Sequence, residues 1–174
     1  FLALLSKQAN AYWRADDHKQ AQHYAERILA RTKDDPTIID RREPPSAVST
    51  LWNISQELGE YAEAENFFQQ SLIIRREIDD QVGIAASLHN LGITFKNQGQ
   101  YEQSRSYFQQ SLAISEALND QLHMALTLGS LGSLERDLGY DVQAEAYYMQ
   151  SLAINQKIGN QRGIAMRLHE LGLV

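Results

Sequence analysis

Hydrophobic side chains recur at helical spacing along most of the chain. Ile84, Leu88, Leu91 and Phe95 fall at i, i+4, i+7 and i+11. Positions three or four residues apart share one face of an α-helix, so this stretch is predicted to be an amphipathic helix with one buried face. A second helix is predicted from side chains that keep similar spacing further on: Tyr101, Ser104, Phe108, Leu112 and Leu118.

The same motifs return every 40 residues. The run Leu-His-Asn-Leu-Gly at 88–92 reappears as Leu-Gly-Ser-Leu-Gly at 128–132 and as Leu-His-Glu-Leu-Gly at 168–172. A glycine at 59, 99 and 139 keeps this period, as does an aromatic residue followed by a Gln-Ser-Leu motif at 68–72, 108–112 and 148–152. Self-similarity at a fixed period is the signature of a repeat architecture.

Each repeat is predicted to contain two helices, with turn residues between them. Asp80, Asp120 and Asn160 precede the first helices, where their side chains can cap free backbone N–H groups. Gly99 follows a first helix and can adopt the left-handed conformation of a C-terminal cap without a Cβ penalty.

The repeat register divides the chain into about four and a half units of one domain. Pro36, Pro44 and Pro45 fall in one stretch, which is predicted to be a non-helical connector. The last helix has an apolar face without a partner in this chain, so we expect further repeats or another domain beyond it. The predicted segments are repeat 1 at about 1–31, a connector at 32–45, repeat 2 at about 46–78, repeat 3 at about 81–118, repeat 4 at about 121–158, and a half repeat at 161–174.

These motifs resemble the tetratricopeptide repeat family. The resemblance lies in Leu91-Gly92 of a first helix, in Gly99-Gln100-Tyr101 at a turn, and in Ser104, Phe108 and Ser111 of a second helix. The 40-residue period is similar to the variety found in kinesin light chains, spindle-orientation adaptors and bacterial regulators with these repeats. The resemblance implies an all-α fold, a right-handed superhelical solenoid of antiparallel helix pairs.

Two departures from the family pattern affect packing. Trp52 stands where Gly92 and Gly132 stand in later repeats, at a point where paired helices should approach closely. Serines replace the small alanines of the family at Ser71, Ser111 and Ser151. These serines are small enough to pack, and their hydroxyls can bond the carbonyl one turn back in their own helix.

Composition restricts the classes of function. The chain has a net charge of −6 without a basic run, so a nucleic-acid partner is not expected. No apolar stretch approaches the roughly 20 residues that span a bilayer, so a membrane partner is not expected either. The absence of cysteine is compatible with a cytoplasmic location.

No pattern of catalytic or metal-binding residues stands out. His89 and His169 match across two repeats, so the repeat itself explains their recurrence. The sequence has neither a His-Glu-x-x-His zinc motif nor a glycine-rich phosphate loop. The chain is therefore predicted to be no enzyme and to use no metal or cofactor.

The family resemblance implies that the first helices line a concave groove that binds a peptide or a partner helix. Asn90 offers both a donor and an acceptor to a peptide backbone there. The groove residues that the resemblance implies are Trp13, Arg14, Asn53, Glu57, His89, Asn90, Lys96, Asn97, Ser130, Ser133, Arg136, Asp137, His169 and Glu170.

Three hypotheses for function follow. The leading one is a protein–protein interaction scaffold or adaptor with a protein or peptide ligand. The alternative is an effector-sensing regulatory module within a larger signalling protein, such as a transcription regulator, an ATPase or a protease. The open apolar ends of the solenoid also suggest self-association.

Overall fold

The computed structural model describes residues 61–172, together with Ala11, Lys19, Gln20, His23, Tyr24 and Arg27. The chain divides into two compact units, Phe1–Gln70 and Ser71–Val174. The predicted repeat 1 and connector, and Trp52, lie almost wholly outside the described residues. Within residues 61–172 the helices are α1 (Tyr61–Glu77), α2 (Gln81–Asn97), α3 (Tyr101–Ala117), α4 (Gln121–Asp137), α5 (Asp141–Lys157) and α6 (Gln161–Glu170).

The predicted caps begin and end these helices. Asp80 Oδ1 accepts a hydrogen bond from the Gly83 backbone N–H at 3.0 Å, and Asp120 and Asn160 cap α4 and α6 in the same way. Gly99, which follows α2, has a φ of 74°. This is the left-handed conformation predicted for a C-terminal glycine cap.

The second unit is built from antiparallel helix pairs that pack on one another. Within pairs, α2 packs against α3 and α4 against α5, and between pairs α3 packs against α4 and α5 against α6. The predicted first-helix face is confirmed, since Ile84, Leu88, Leu91 and Phe95 are all buried. No strand occurs among the described residues, and none of their helices is long and apolar enough to cross a membrane.

The paired helices approach closely at the repeated glycines, as the sequence predicts. A Cβ at Gly92 would lie 2.5 Å from the ring of Phe108, and a Cβ at Gly132 would lie 2.6 Å from the ring of Tyr148. Ordinary carbon contacts are about 3.5–4.0 Å. Only glycine therefore lets the aromatic ring of the second helix rest on the first helix.

Two of the repeated serines bond a carbonyl of the partner helix and not the one a turn back in their own helix. Ser111 Oγ donates to the carbonyl of Ala85 at 2.8 Å, and Ser151 Oγ donates to the carbonyl of Ala125 at 2.6 Å. These carbonyls belong to the partner helix of the pair. Because a carbonyl oxygen has two lone pairs, it can accept the serine in addition to its helical bond. The serines thus bond the two helices together.

The second-helix face is confirmed in its centre and wrong at its end. Ser104 and Phe108 are completely buried, and Tyr101 and Leu112 are partly buried. Leu118 is 41% exposed. The reason is that α3 ends at Ala117, so Leu118 lies at the C-cap, where the chain turns away from the buried face.

Candidate functional site

The first helices of the last two repeats border an open cleft of about 440 Å³, here called the α4–α6 cleft. Its floor is the end of α5. Residues of α4 and α6 face each other across it, and apolar and polar side chains both contribute. The principal lining residues are Leu122, Leu126, Ser130 and Ser133 from α4, Asn155 from α5, and Arg162, Met166, Arg167 and Glu170 from α6.

The helical repeat explains why these side chains point into the cleft. Leu122, Leu126, Ser130 and Ser133 are spaced at i, i+4, i+8 and i+11, which places them on one face of α4. Leu128, Leu131 and Leu134 lie on the opposite face of α4, and all three are buried. The core leucines therefore fix the orientation of α4, and its other face remains open.

Three large apolar side chains of the cleft are about half exposed. Leu122 is 48% exposed, Leu126 49% and Met166 50%. The sequence prediction concentrated on polar positions and missed all three. They could have been predicted from the sequence, because the helical spacing places them on the face opposite the buried leucines.

Polar residues link each first helix to the next. Lys96 Nζ donates to Ser133 Oγ at 2.8 Å and forms an ion pair with Asp137 at 2.9 Å. Arg136 forms an ion pair with Glu170. All five residues were predicted to line the groove, and the structure brings them together as cross-links between successive repeats.

His89 belongs to the same set of links but is buried. Its Nε2 lies 2.9 Å from Ser130 Oγ, and its ring centroid lies 5.5 Å from that of Phe108. Burial, together with the positive charge of His123, lowers the pKa of His89 to about 4. The side chain is therefore neutral near pH 7, which suits an interior position.

The remaining predicted groove residues differ in exposure. Asn90 is partly exposed, and Asn97 and His169 are exposed. The roles of these residues in binding stay predictions. Four predicted members lie outside the described residues: Trp13, Arg14, Asn53 and Glu57.

Two arginines of the cleft were not predicted. Arg167 lies with its guanidinium carbon 5.4 Å from the centre of the Tyr148 ring, and burial lowers its pKa. Arg162, five residues earlier on α6, is exposed. Arg167 could have been noticed in the sequence, because the equivalent residues of the two preceding repeats, Ser87 and Thr127, are small and uncharged.

Known proteins support the repeat assignment. Residues 49–117 match the family model described as tetratricopeptide repeat. Among curated proteins, none matches the chain. Solved structures of similar fold include the apo form of RapI, with a TM-score of 0.81 and 21% identity over 99% of this chain. A Rap protein complexed with Competence and Sporulation Factor gives 0.79 and 18% over 95%.

A third similar structure is a STAND signal transduction ATPase with a tetratricopeptide repeat sensor from Pyrococcus horikoshii, with a TM-score of 0.70 and 19% identity over 96% of this chain. The chain spans 62%, 45% and 26% of the lengths of these three proteins. Such identities show a common fold alone. Residues 49–117 thus match the tetratricopeptide repeat, and the stacked helix pairs share their fold with these repeat proteins.

Proposed function

We propose that this chain is a protein-interaction module that binds a peptide or a partner helix along its first helices and catalyses no reaction. The observation that carries the proposal is the α4–α6 cleft, where Leu122, Leu126 and Met166 are half exposed beside polar side chains. Concave sites that combine apolar contacts with a few polar groups are typical of ligand recognition.

Covering these three side chains supplies a useful binding free energy. Full burial of a Leu or Met side chain is worth about 1.5–3 kcal/mol, so covering the exposed half contributes about 1 kcal/mol each. A ligand that covers all three gains about 3 kcal/mol before any hydrogen bonds. Contacts of this size, added over successive repeats, suit a ligand that lies along several first helices.

The polar cross-links give the cleft a fixed shape. Lys96 with Asp137, and Arg136 with Glu170, hold neighbouring first helices at a set separation. A site that is ordered before binding loses less entropy when a ligand arrives. We therefore assign these predicted groove residues the task of positioning α2, α4 and α6, with their remaining polar atoms available at the edge of the ligand.

The similar structures support both hypotheses drawn from the sequence. One is a Rap protein in complex with Competence and Sporulation Factor, which favours ligand binding by this fold. Another carries a tetratricopeptide repeat sensor within a larger ATPase, which favours the alternative of an effector-sensing module. The α4–α6 cleft is the proposed ligand site in either case.

A peptide array with two matched variants tests the proposal. Met166 of α6 and Met149 of α5 are each 50% exposed, but only Met166 lines the cleft. We expect Met166→Glu to lose the peptides that the unmodified protein captures and Met149→Glu to keep them. Capture of no peptide by the unmodified protein, or loss only in Met149→Glu, would refute the proposal.

A further inference from the structure

The α4–α6 cleft contains two guanidinium groups for which the described residues provide no hydrogen-bonded carboxylate. Arg162 and Arg167 both line the cleft, and neither forms an ion pair within 61–172. The carboxylate of Glu170 is in the cleft too; it pairs with Arg136, and its negative charge also acts on Arg167, so two guanidinium groups of the lining face one carboxylate. The cleft is thus locally cationic in a chain with a net charge of −6.

The placement of Arg167 depends on a glycine in the preceding repeat. A Cβ built at Gly129 would overlap the guanidinium of Arg167. The corresponding residue one repeat earlier is His89, whose ring packs against Phe108. The side chain of Arg167 therefore lies in space that the absence of a side chain at residue 129 leaves open, beside the ring of Tyr148.

This packing orders the arginine before any ligand is present. A guanidinium that stacks on an aromatic ring has lost much of its rotamer freedom but keeps its N–H donors. Such a group can form paired hydrogen bonds with a carboxylate at a small additional entropic cost. The apolar side chains of Leu122, Leu126 and Met166 line the same cleft.

From this charge complementarity we propose that the α4–α6 cleft recognises an Asp or Glu side chain next to a Leu-sized or Met-sized apolar side chain, within an extended segment of a partner protein. The inference rests on the proposed function and specifies its ligand. Arg162 and Arg167 hold the carboxylate, and Leu122, Leu126 and Met166 cover the apolar neighbour.

Fluorescence anisotropy with short acetylated and amidated peptides tests this specificity. The probe peptides have a Ser-Gly background and a central Leu-Glu-Leu or Leu-Gln-Leu. Because charge-assisted hydrogen bonds are worth about 1.5–3 kcal/mol, we expect the Glu peptide to bind at least about tenfold more tightly. Equal binding of the two peptides, or binding of neither, would overturn the inference. The proposed function is tested separately, by the peptide array with Met166→Glu and Met149→Glu.

Protein variants connect the preference to the two arginines. We expect Arg162→Gln and Arg167→Gln each to reduce the Glu-over-Gln ratio several-fold, whereas Arg76→Gln, at an exposed arginine on α1, leaves it unchanged. Gly129→Ala keeps every charge but displaces Arg167, so the ratio should also fall. Arg162 is exposed, so its variant is expected to fold even if Arg167→Gln does not, and an unchanged ratio in a folded Arg162→Gln protein refutes the assignment.

The source of the carboxylate is tested with one more peptide. A Leu-Gln-Leu peptide with a free C-terminus presents a terminal carboxylate in place of the side chain. We expect it to bind no more tightly than its amidated form. Binding equal to that of the Leu-Glu-Leu peptide would show that the cleft recognises a chain terminus, and this result would overturn the proposal.

Discussion

The ion pair between Arg105 of α3 and Glu135 of α4 provides a quantitative test of how one helix pair stabilises the next. Arg105 Nε and Nη2 each lie 3.0 Å from a different oxygen of Glu135. The Glu135 side chain is only 7% exposed, and that of Arg105 is 25% exposed. The hydrogen bond to Glu135 is the largest cause of a raised pKa at Arg105.

The perturbation is a double-mutant cycle with Arg105→Met and Glu135→Leu. Removing one partner of a fully buried pair costs about 3–5 kcal/mol, because a buried charge is left uncompensated. The arginine end of this pair reaches solvent, so we expect Arg105→Met to lower the free energy of unfolding by about 2 kcal/mol. The double variant replaces both charges with apolar groups and should lose less than about 1 kcal/mol.

Urea denaturation followed by far-ultraviolet circular dichroism measures these free energies. Glu102 is the matched control, since it contacts the same arginine but its side chain is 84% exposed. We expect Glu102→Gln to change stability by no more than about 0.5 kcal/mol. If the two single changes simply add in the double variant, the ion pair does not couple the helix pairs and the reasoning is refuted.

Three further predictions concern other elements of the repeat. The folded-state pKa of His89, about 4, lies below the ordinary 6.5, so neutral His89 favours folding above pH 6.5 and this contribution is lost as the pH falls toward 4. When the pH falls from 7.5 to 4.5, the free energy of unfolding measured in urea titrations should decrease by about 2–3 kcal/mol more in the unmodified protein than in a His89→Gln variant. An equal decrease in both proteins would contradict the burial of His89. Gly92→Ala should destabilise the protein by about 1 kcal/mol, because overpacking against Phe108 (about 1–3 kcal/mol) outweighs the gain in helix propensity (about 1 kcal/mol). Thermal melts measure this change, and a stabilised variant would argue against the close approach of the two helices. Asp120→Ala removes the cap at the His123 N–H and should cost about 1 kcal/mol, whereas an Asp120→Asn variant should retain most of the stability, and the same denaturation assay compares them.

The architecture of the described repeats could be predicted from the sequence because its determinants are local. The cap at Asp80, the glycine at 99 and the stripe from Ile84 to Phe95 act within one helix or one turn. Repetition at 40-residue intervals then extends each local prediction to the next unit. The close contact between helices at Gly92 could be predicted as well, since the sequence shows that this residue has no side chain.

The cleft could be predicted only in part, because its features depend on contacts between repeats. The position of His89 on a first helix is set by the repeat register, but its burial depends on Phe108 and Ser130 of other helices. The orientation of Arg167 depends on space left at Gly129. Such compensating changes between distant positions cannot be read from the spacing within one helix.

A titration followed by nuclear magnetic resonance tests the central claim, that the first helices carry the ligand site. The ligand is a peptide captured on the array, and methyl resonances report on both faces of the second unit. We predict the largest shift changes at Leu122, Leu126 and Met166 in the α4–α6 cleft. Changes concentrated at Ile73 and Met149, which are exposed on the second helices α1 and α5, would contradict the account.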